Sequence, residues 1–385
     1  MTPSELAEAR DALVTAAQRF ARTEIAPHAS AWDAAGEFPR ALYKRAAELG
    51  FLGLGYPEAY GGTPAPRALR VALSRTLARH AAAGGTLSSL MSHGIGLPPV
   101  IALGSEALKR EVVPEVLAGE RISALAITEP GGGSDVAALK THARREGDDY
   151  VVNGEKIFIT SGMRADWITL AVRTDPASKG AGGISLLLVP GDSRGLSRTR
   201  LDKMGWLASD TAHLRFDEVR VPARYLLGEE HKGFRAIMGN FNSERYGIAS
   251  SALGYAEACY DEALAWAQQR QAFGSALVEH QVIRHKLVDM QQRIQATGAW
   301  LDHVVAQADA GINDAAWVAS VCMLKNQATQ TFQFCADAGV QILGGMGFMR
   351  GTVVERLYRE VKVLTIGGGT EEIMKELAAR QLGVV

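Results

Sequence analysis

The chain has 385 residues, too many for one compact core, so we expect two or three structural units. Hydrophobic residues make up 47% and charged residues 22%, a balance typical of folded globular proteins that excludes a disordered chain. The formal net charge is −1, without a basic block, which argues against nucleic-acid binding. No apolar run approaches the roughly 20 residues that span a bilayer.

The cysteines and histidines favour neither a disulfide framework nor a metal site. Cys259, Cys322 and Cys335 show no CxxC spacing. His280 and His285 lie five residues apart, which misses the spacing of a helical metal pair. The first residues carry no apolar segment of a signal peptide, so we expect a reducing, cytoplasmic location.

Residues 1–121 are predicted to be helical. Thr2-Pro3-Ser4-Glu5 matches a capping box, and the apolar residues after it recur at helical spacing. Residues 122–232 are predicted to form a β-domain, a small barrel or sandwich. In it, Asn153-Gly154 between two β-rich segments predicts a hairpin with a type I′ turn, and further strands are expected at 167–172, 184–189 and 213–221.

Residues 233–385 return to a helical pattern. The stretches 240–305 and 313–340 are rich in alanine and contain few helix breakers, which predicts long helices packed as a bundle. The fold class is therefore mainly α with a central β-domain.

Four segments contain residues suited to binding a flat or phosphorylated ligand. The segments are ITEPGGGSD at 127–135, KIFITSG at 156–162, QRQAFG at 269–274 with QILGGMGF at 341–348, and IGGGTEEIM at 366–374. Glycine-rich loops allow close backbone approach, Phe158 and Thr160 are predicted to share one face of a strand, and Arg270 could pair with a pyrophosphate. Each segment alone is weak evidence, since surface turns, half-buried strands and capped helix ends look alike; Gly274, for instance, could simply cap a helix.

Together and in this order, these segments resemble the acyl-CoA dehydrogenase family over essentially the whole chain. The resemblance implies FAD as cofactor, an acyl-CoA substrate, electron-transferring flavoprotein as acceptor, and a homotetramer built as a dimer of dimers. It implies a helical domain, a β-domain and a four-helix bundle. It also implies flavin contacts from Leu125, Ile127, Thr128, Gly133, Ser134, Phe158, Ile159 and Thr160, with Ser134 also touching CoA. Position 158 often holds Trp in the family, so Phe158 is a departure.

The resemblance further assigns residues to the FAD of a neighbouring subunit and to its pyrophosphate end. The first group comprises Arg270, Phe273, His280, Gln281, Gln341, Gly344 and Gly345, and the second comprises Thr370 and Glu372. If so, the cofactor site is completed by dimerisation.

The catalytic base is expected on a helix. Many family members carry it in the glycine loop, where this chain has Gly368. A smaller group, including isovaleryl, long-chain and citronellyl types, places a Glu-Arg pair on a helix, which matches Glu244-Arg245 here. We therefore predict Glu244 as the base and Gly368 as a backbone donor to the thioester carbonyl, with Asn242 and Arg245 at the substrate. Glu371 and Glu372 remain competitors for the base.

The resemblance leaves the substrate and two rival functions open. A long-chain or branched acyl group is expected. The same fold could serve a flavin oxidase or monooxygenase, or a non-catalytic FAD-bound assembly protein. Met91, Leu97 and Trp206 could line the acyl pocket or belong to the core.

Overall fold

The computed structural model describes residues 2–384, apart from the side chains of Pro3 and Asn240. The N-terminal helices are α1 (Pro3–Phe20), α2 (Ala29–Ala35), α3 (Ala41–Glu48), α4 (Arg67–Ala81), α5 (Gly84–Leu90), α6 (His93–Gly96), α7 (Pro98–Leu103) and α8 (Glu106–Leu117). The predicted capping box is confirmed: the Thr2 hydroxyl accepts from the Glu5 amide at 3.2 Å, and the Thr2 amide donates to the Glu5 carboxylate at 2.6 Å.

Eight strands follow and form one sheet. They are β1 (Ser123–Ala126), β2 (His142–Glu146), β3 (Asp149–Thr160), β4 (Trp167–Arg173), β5 (Ile184–Pro190), β6 (Leu196–Arg200), β7 (Thr211–Pro222) and β8 (Leu226–Leu227). The strand order is β6-β7-β3-β2-β4-β5-β8, with β1 pairing parallel to β4. The sheet packs its own apolar core, which includes Tyr150, Leu170 and Leu187.

The predicted hairpin at Asn153-Gly154 is wrong, because β3 runs straight through it. Strand β3 pairs with β2 on one side and β7 on the other, so a continuous strand makes more backbone hydrogen bonds than a turn at this position would. A bulge absorbs the irregularity: the Asn153 side chain bonds both the amide and the carboxylate of Glu218, and Gly154 adopts φ 136°. The hairpin turn lies instead at Gly147-Asp148, between β2 and β3.

The C-terminal part contains α9 (Gly233–Gln269), β9 (Gln271–Ala272), β10 (Ser275–Ala276), α10 (Gln281–Asp309), α11 (Ala315–Leu343), α12 (Gly345–Phe348), α13 (Val353–Ile366) and α14 (Glu371–Gln381). Helices α9, α10, α11 and α13 pack against one another around a second core. The order of helices, sheet and helices confirms the predicted fold class. The expected helical stretch 240–305 is interrupted, because β9 and β10 separate α9 from α10.

Helix α9 belongs to both cores. Ile237 and Phe241, near its start, pack into the sheet core, whereas Tyr246 and Ala249 pack into the helical core. Glu244 therefore lies on the segment where the helix passes from one core to the other. No single helix in residues 2–384 is long and apolar enough to cross a membrane, although α5 with His93–Leu103 passes that test as a bent pair.

Candidate active site

The predicted base lies on α9 beside a glycine loop. Glu244 is partly buried and Arg245 is buried. The Arg245 guanidinium donates to the Asn242 side-chain oxygen at 2.9 Å and to the Gly368 carbonyl at 3.3 Å. The structure therefore brings the segment with Asn242, Glu244 and Arg245 together with Gly368, which follows Arg245 by 123 residues.

Burial makes Glu244 a stronger base than an ordinary carboxylate. Removal from water raises its pKa to about 7, and the positive charge of Arg245 opposes that rise. Burial also lowers the pKa of Arg245. A carboxylate with a pKa near neutrality suits proton abstraction, because it is ionised at working pH and still binds a proton well.

The glycine loop 367–369 approaches α9 closely. Gly368 has φ 69°, and a Cβ at this position would lie 2.6 Å from the Cδ1 atom of Ile248. A side chain at position 368 would therefore require the Ile248 side chain to shift, in addition to the strain of the positive φ. On its other side, the buried ammonium of Lys325 donates to the carbonyls of Thr365 and Gly369, at 3.0 and 2.8 Å.

The two competing glutamates at the start of α14 are engaged in local structure. Thr370 caps that helix by accepting from the Ile373 amide. The Glu371 carboxylate accepts from Gln330 at 3.0 Å. For Glu372, its own backbone N–H and the Thr370 hydroxyl lower the pKa, so it is a weaker base than Glu244.

A buried ion pair joins the 127–135 loop to strand β3. The Lys156 ammonium is fully buried and donates to the Glu129 carboxylate and the Ile127 carbonyl, each at 2.8 Å. Glu129 also accepts from the amides of Lys140 and Thr141. Burial lowers the pKa of Lys156 to about 8, and the charge of Lys156 helps to lower that of Glu129. This pair anchors the loop that carries Thr128, Gly133 and Ser134.

The residues predicted to contact the flavin from β3 lie at a second bulge. The β3–β7 register shifts between Lys156 and Ile159, and Phe158 adopts φ 62° with its ring 66% exposed. The regular alternation expected for Phe158 and Thr160 is therefore interrupted. The Ile157 amide donates to the Thr128 carbonyl at 2.9 Å, which places β3 beside the loop. Of the other predicted residues, Leu125 is partly buried, Ile127 and Ile159 are buried, and Gly133 and Ser134 are exposed.

A hairpin after α9 presents a second exposed ring. Phe273 and Gly274 form the two-residue turn between β9 and β10, with φ 53° and 85°, so Gly274 turns a hairpin and does not cap the helix. The Phe273 ring is 98% exposed, and its edge contacts His280 with centroids 6.1 Å apart. Positive φ at a bulky residue is unfavourable and favours a functional explanation.

The remaining predicted FAD residues lie at helix ends. Arg270 and Gln281 are exposed beside the hairpin, while Gln341 and Gly344 close α11, with Gly344 at φ 59°. Gly345 begins α12 with open space around its backbone. Among residues 2–384, no hydrogen bond or ring contact joins these groups to the Phe158 strand.

The residues present fit FAD. A flavin ring needs an open apolar surface with hydrogen-bonding partners at its edge, and a pyrophosphate needs unobstructed backbone donors. Phe158 and Phe273 are exposed, the loop at Gly133 is exposed, and Gly345 has open space around its backbone.

The sequence analysis missed the buried lysines. Lys156 and Lys325 hold the two glycine loops, yet neither was predicted as a site residue. For Lys325 a signal existed, because it is the single charged residue between Asp314 and Asp337. Of the candidate pocket residues, Leu97 is fully buried in the sheet core, while Met91 and Trp206 pack against the helical core.

Comparison with known proteins shows the family. Three acyl-CoA dehydrogenase domains match in order: the N-terminal domain at residues 7–120, the middle domain at 124–219 and the C-terminal domain at 231–383. The chain is 37% identical over 372 residues to the mitochondrial long-chain specific acyl-CoA dehydrogenase of Mus musculus, covering 95% of this chain and 84% of that protein.

Solved structures show the same fold along the whole chain. A probable acyl-CoA dehydrogenase from Mycobacterium abscessus is 45% identical with a TM-score of 0.94, and each chain is covered completely. A glutaryl-CoA dehydrogenase from Mycobacterium smegmatis in complex with FADH2 is 26% identical with a TM-score of 0.91, covering 98% of this chain and 95% of that one. The chain therefore belongs to the acyl-CoA dehydrogenase family and is an FAD-dependent acyl-CoA dehydrogenase.

Proposed function

We propose that Glu244 removes the α-proton of an acyl-CoA thioester, giving the trans-2-enoyl-CoA. The observation that carries the proposal is the contact between the Glu244-Arg245 segment of α9 and the Gly368 loop. A thioester α-proton is weakly acidic, so its carbonyl must meet a donor where negative charge develops. The Gly368 amide is that donor, and the Glu244 carboxylate accepts the proton.

FAD supplies the hydride acceptor, at flavin N5, for the β-hydrogen. The chain's own residues bind and orient the reactants. The Lys156–Glu129 pair anchors the loop of Ser134, which contacts CoA and cofactor, while Asn242 and Arg245 hold the substrate side of α9. Gly368 contributes only its backbone, since a side chain there would meet Ile248.

The substrate is proposed to be a long-chain or branched acyl-CoA. Two considerations support it: the base occupies a helix, as in the long-chain, isovaleryl and citronellyl types, and a long-chain enzyme is among the relatives. Electrons leave to an electron-transferring flavoprotein in the cytoplasm, and the enzyme works in fatty-acid β-oxidation as a homotetramer. The exposed Phe273 and Gly344–Gly345 then meet the cofactor of a neighbouring subunit.

Anaerobic titration of the FAD-loaded enzyme tests the reaction. Acyl-CoAs of increasing length and branching are added, and the loss of flavin absorbance is followed. Rapid bleaching by long or branched acyl groups is expected. Bleaching by short straight chains alone would overturn the substrate assignment, and no bleaching by any acyl-CoA would favour a non-catalytic assembly protein. Rapid substrate-dependent peroxide formation in air would favour an oxidase.

The Glu244→Gln variant tests the base. It should retain FAD and bind acyl-CoA while flavin reduction slows by roughly 10²- to 10⁴-fold, the usual contribution of a general base. Glu229→Gln, an exposed carboxylate paired with Lys232 just before α9, serves as the matched control and should reduce at the wild-type rate. Normal reduction in Glu244→Gln would refute the assignment.

A further inference from the structure

Lys325 is a buried cation whose ammonium donates to backbone carbonyls on both sides of Gly368. It lies in the middle of α11, fully inaccessible to solvent. Its ammonium donates to the carbonyls of Thr365 and Gly369, on either side of Gly368, at 3.0 and 2.8 Å. Burying a charged amine is costly, and burial accordingly lowers its pKa to about 8. A buried charge of this kind requires compensation, and here the accepting atoms are the Thr365 carbonyl at the end of α13 and the Gly369 carbonyl in the loop.

The loop is also held from two other directions. Arg245 donates to the Gly368 carbonyl at 3.3 Å from α9, and Asn326 donates to the Glu371 carbonyl at 3.0 Å, just beyond the loop. Gly368 and Gly369 have φ 69° and 108°, which glycine adopts readily but does not enforce. Three consecutive glycines, at 367–369, would otherwise leave the backbone many conformations.

We propose that Lys325 is a positioning residue that fixes the Gly368 amide at the place where the thioester oxygen gains charge. The inference deepens the proposed function and rests on it. A donor stabilises a developing enolate fully only when it is aimed before the reaction, because a mobile donor must be ordered during the step. Lys325 orders the donor before the reaction, because its ammonium holds the carbonyls of Thr365 and Gly369 on both sides of Gly368.

Lys325 and Arg245 differ in their effect on the pKa of Glu244. Arg245 bonds the Gly368 carbonyl and also lowers the pKa of Glu244. Burial raises the pKa of Glu244 and Arg245 lowers it, whereas the pKa of Lys325 is lowered by burial and by Arg245 and raised by Glu371, Glu372 and Cys322. Loss of Lys325 should therefore change the donor and leave the titration of the base where it is.

The test uses a 3-thia-acyl-CoA, in which sulfur replaces the β-carbon. This analogue can lose its α-proton but has no β-hydride to transfer, so exchange of its α-hydrogen with D2O reports proton removal alone. Exchange is measured by mass spectrometry per bound FAD, together with the Kd of the analogue and the pH dependence of exchange. In Lys325→Met we expect exchange to fall by roughly 10²- to 10³-fold, as when one oxyanion donor is lost. The Kd should change far less, and the inflection assigned to Glu244 should stay in place.

The matched control is Lys203→Met. Lys203 is a partly buried lysine whose pKa burial lowers to about 8, and its ammonium donates to the carbonyls of Trp206 and Ser209 and to the Thr211 hydroxyl. Its removal should cost stability without slowing exchange. Equal slowing in both lysine variants would show a general loss of rigidity and overturn the inference, as would exchange at the wild-type rate in Lys325→Met.

A second variant covers the case in which Lys325→Met does not fold. Lys325→Gln keeps one donating group in the same cavity and should give an intermediate exchange rate. Exchange in Lys325→Gln equal to that of the wild-type enzyme would overturn the inference. Absence of exchange in the wild-type enzyme would instead overturn the proposed function, and this inference with it.

Discussion

The Cδ1 atom of Ile248 lies 2.6 Å from the point that a Cβ on Gly368 would occupy, and Ile248 follows Glu244 by one turn of α9. The side chain beside the base therefore fills the space that a loop base would need. A carboxylate on α9 is therefore sterically compatible with glycine at position 368, whereas a side chain at 368 would meet Ile248.

The first prediction concerns Gly368→Ala. We expect a lower free energy of unfolding, by about 1–2 kcal/mol for the left-handed backbone and further for the contact with Ile248. Gly367→Ala is the matched control, because that residue has no positive φ and its nearest neighbour would be the Val363 carbonyl at 3.2 Å. Urea unfolding of the two variants measures the difference. Equal losses in both would contradict the steric explanation.

The second prediction concerns moving the base. The double variant Glu244→Gly with Gly368→Glu should be strongly impaired, because the new side chain meets the Cδ1 atom of Ile248 and sits on a backbone with positive φ. Adding Ile248→Ala removes the blocking atoms, and we expect part of the flavin reduction by acyl-CoA to return. Stopped-flow reduction compares the double and triple variants. Equal activity in both would show that Ile248 does not decide the position of the base.

The third prediction is a pH dependence set by Glu244. Its pKa is about 7 and only the ionised form accepts a proton, so kcat/KM should fall about tenfold per pH unit below 7 and level off above it. Arg245→Met should move the inflection to higher pH, because Arg245 lowers that pKa. An inflection that stays in place in Arg245→Met would separate the titrating group from Glu244.

The raised pKa of Glu244 also makes the free energy of unfolding depend on pH. Folding raises the pKa of Glu244 from 4.5 to about 7, so the native state binds more protons between these values. The contribution of Glu244 to the free energy of unfolding is therefore present below pH 4.5 and declines as the pH rises to 7. Glu244→Gln should remove that decline, which urea titrations across this range would show.

Sequence patterns predicted most of the fold and the outline of the site. The helical ends of the chain, the central strands and the Thr2 cap follow from local periodicity and capping chemistry. The prediction of a hairpin at Asn153-Gly154 failed because a local turn sequence does not show that β3 pairs with both β2 and β7 in the folded sheet.

The buried lysines show a second limit of prediction from the sequence. A lysine in a strand or helix reads as a solvent-exposed residue, and only the tertiary structure shows that Lys156 and Lys325 point into the protein toward carbonyl groups. The positive φ of Phe158 and Phe273 is equally invisible, because both residues have strong preferences for other backbone conformations.

The fourth prediction concerns the ion pair below the Ser134 loop. Lys156→Met leaves the Glu129 carboxylate buried without its cation, which typically costs about 3–5 kcal/mol. FAD should dissociate more readily, because the 127–135 loop loses its anchor to β3. The double variant Glu129→Gln with Lys156→Met removes both charges and should regain part of the stability. Thermal unfolding and FAD retention on gel filtration measure both effects, and a double variant no more stable than Lys156→Met would contradict the charge argument.

The fifth prediction concerns the exposed ring of Phe273. A phenylalanine at φ 53° with 98% of its surface exposed is unfavourable in an isolated chain, so we expect a partner subunit and its FAD to cover the ring. Phe273→Gly should relieve the backbone strain yet weaken both association and FAD retention, since the apolar contact is lost. The control is Ile312→Ala, a 39% exposed apolar residue between α10 and α11 and outside the predicted cofactor segments. Sedimentation velocity with FAD content per chain distinguishes the variants: a Phe273→Gly protein that assembles and holds FAD as the wild type does would show that the ring serves neither purpose.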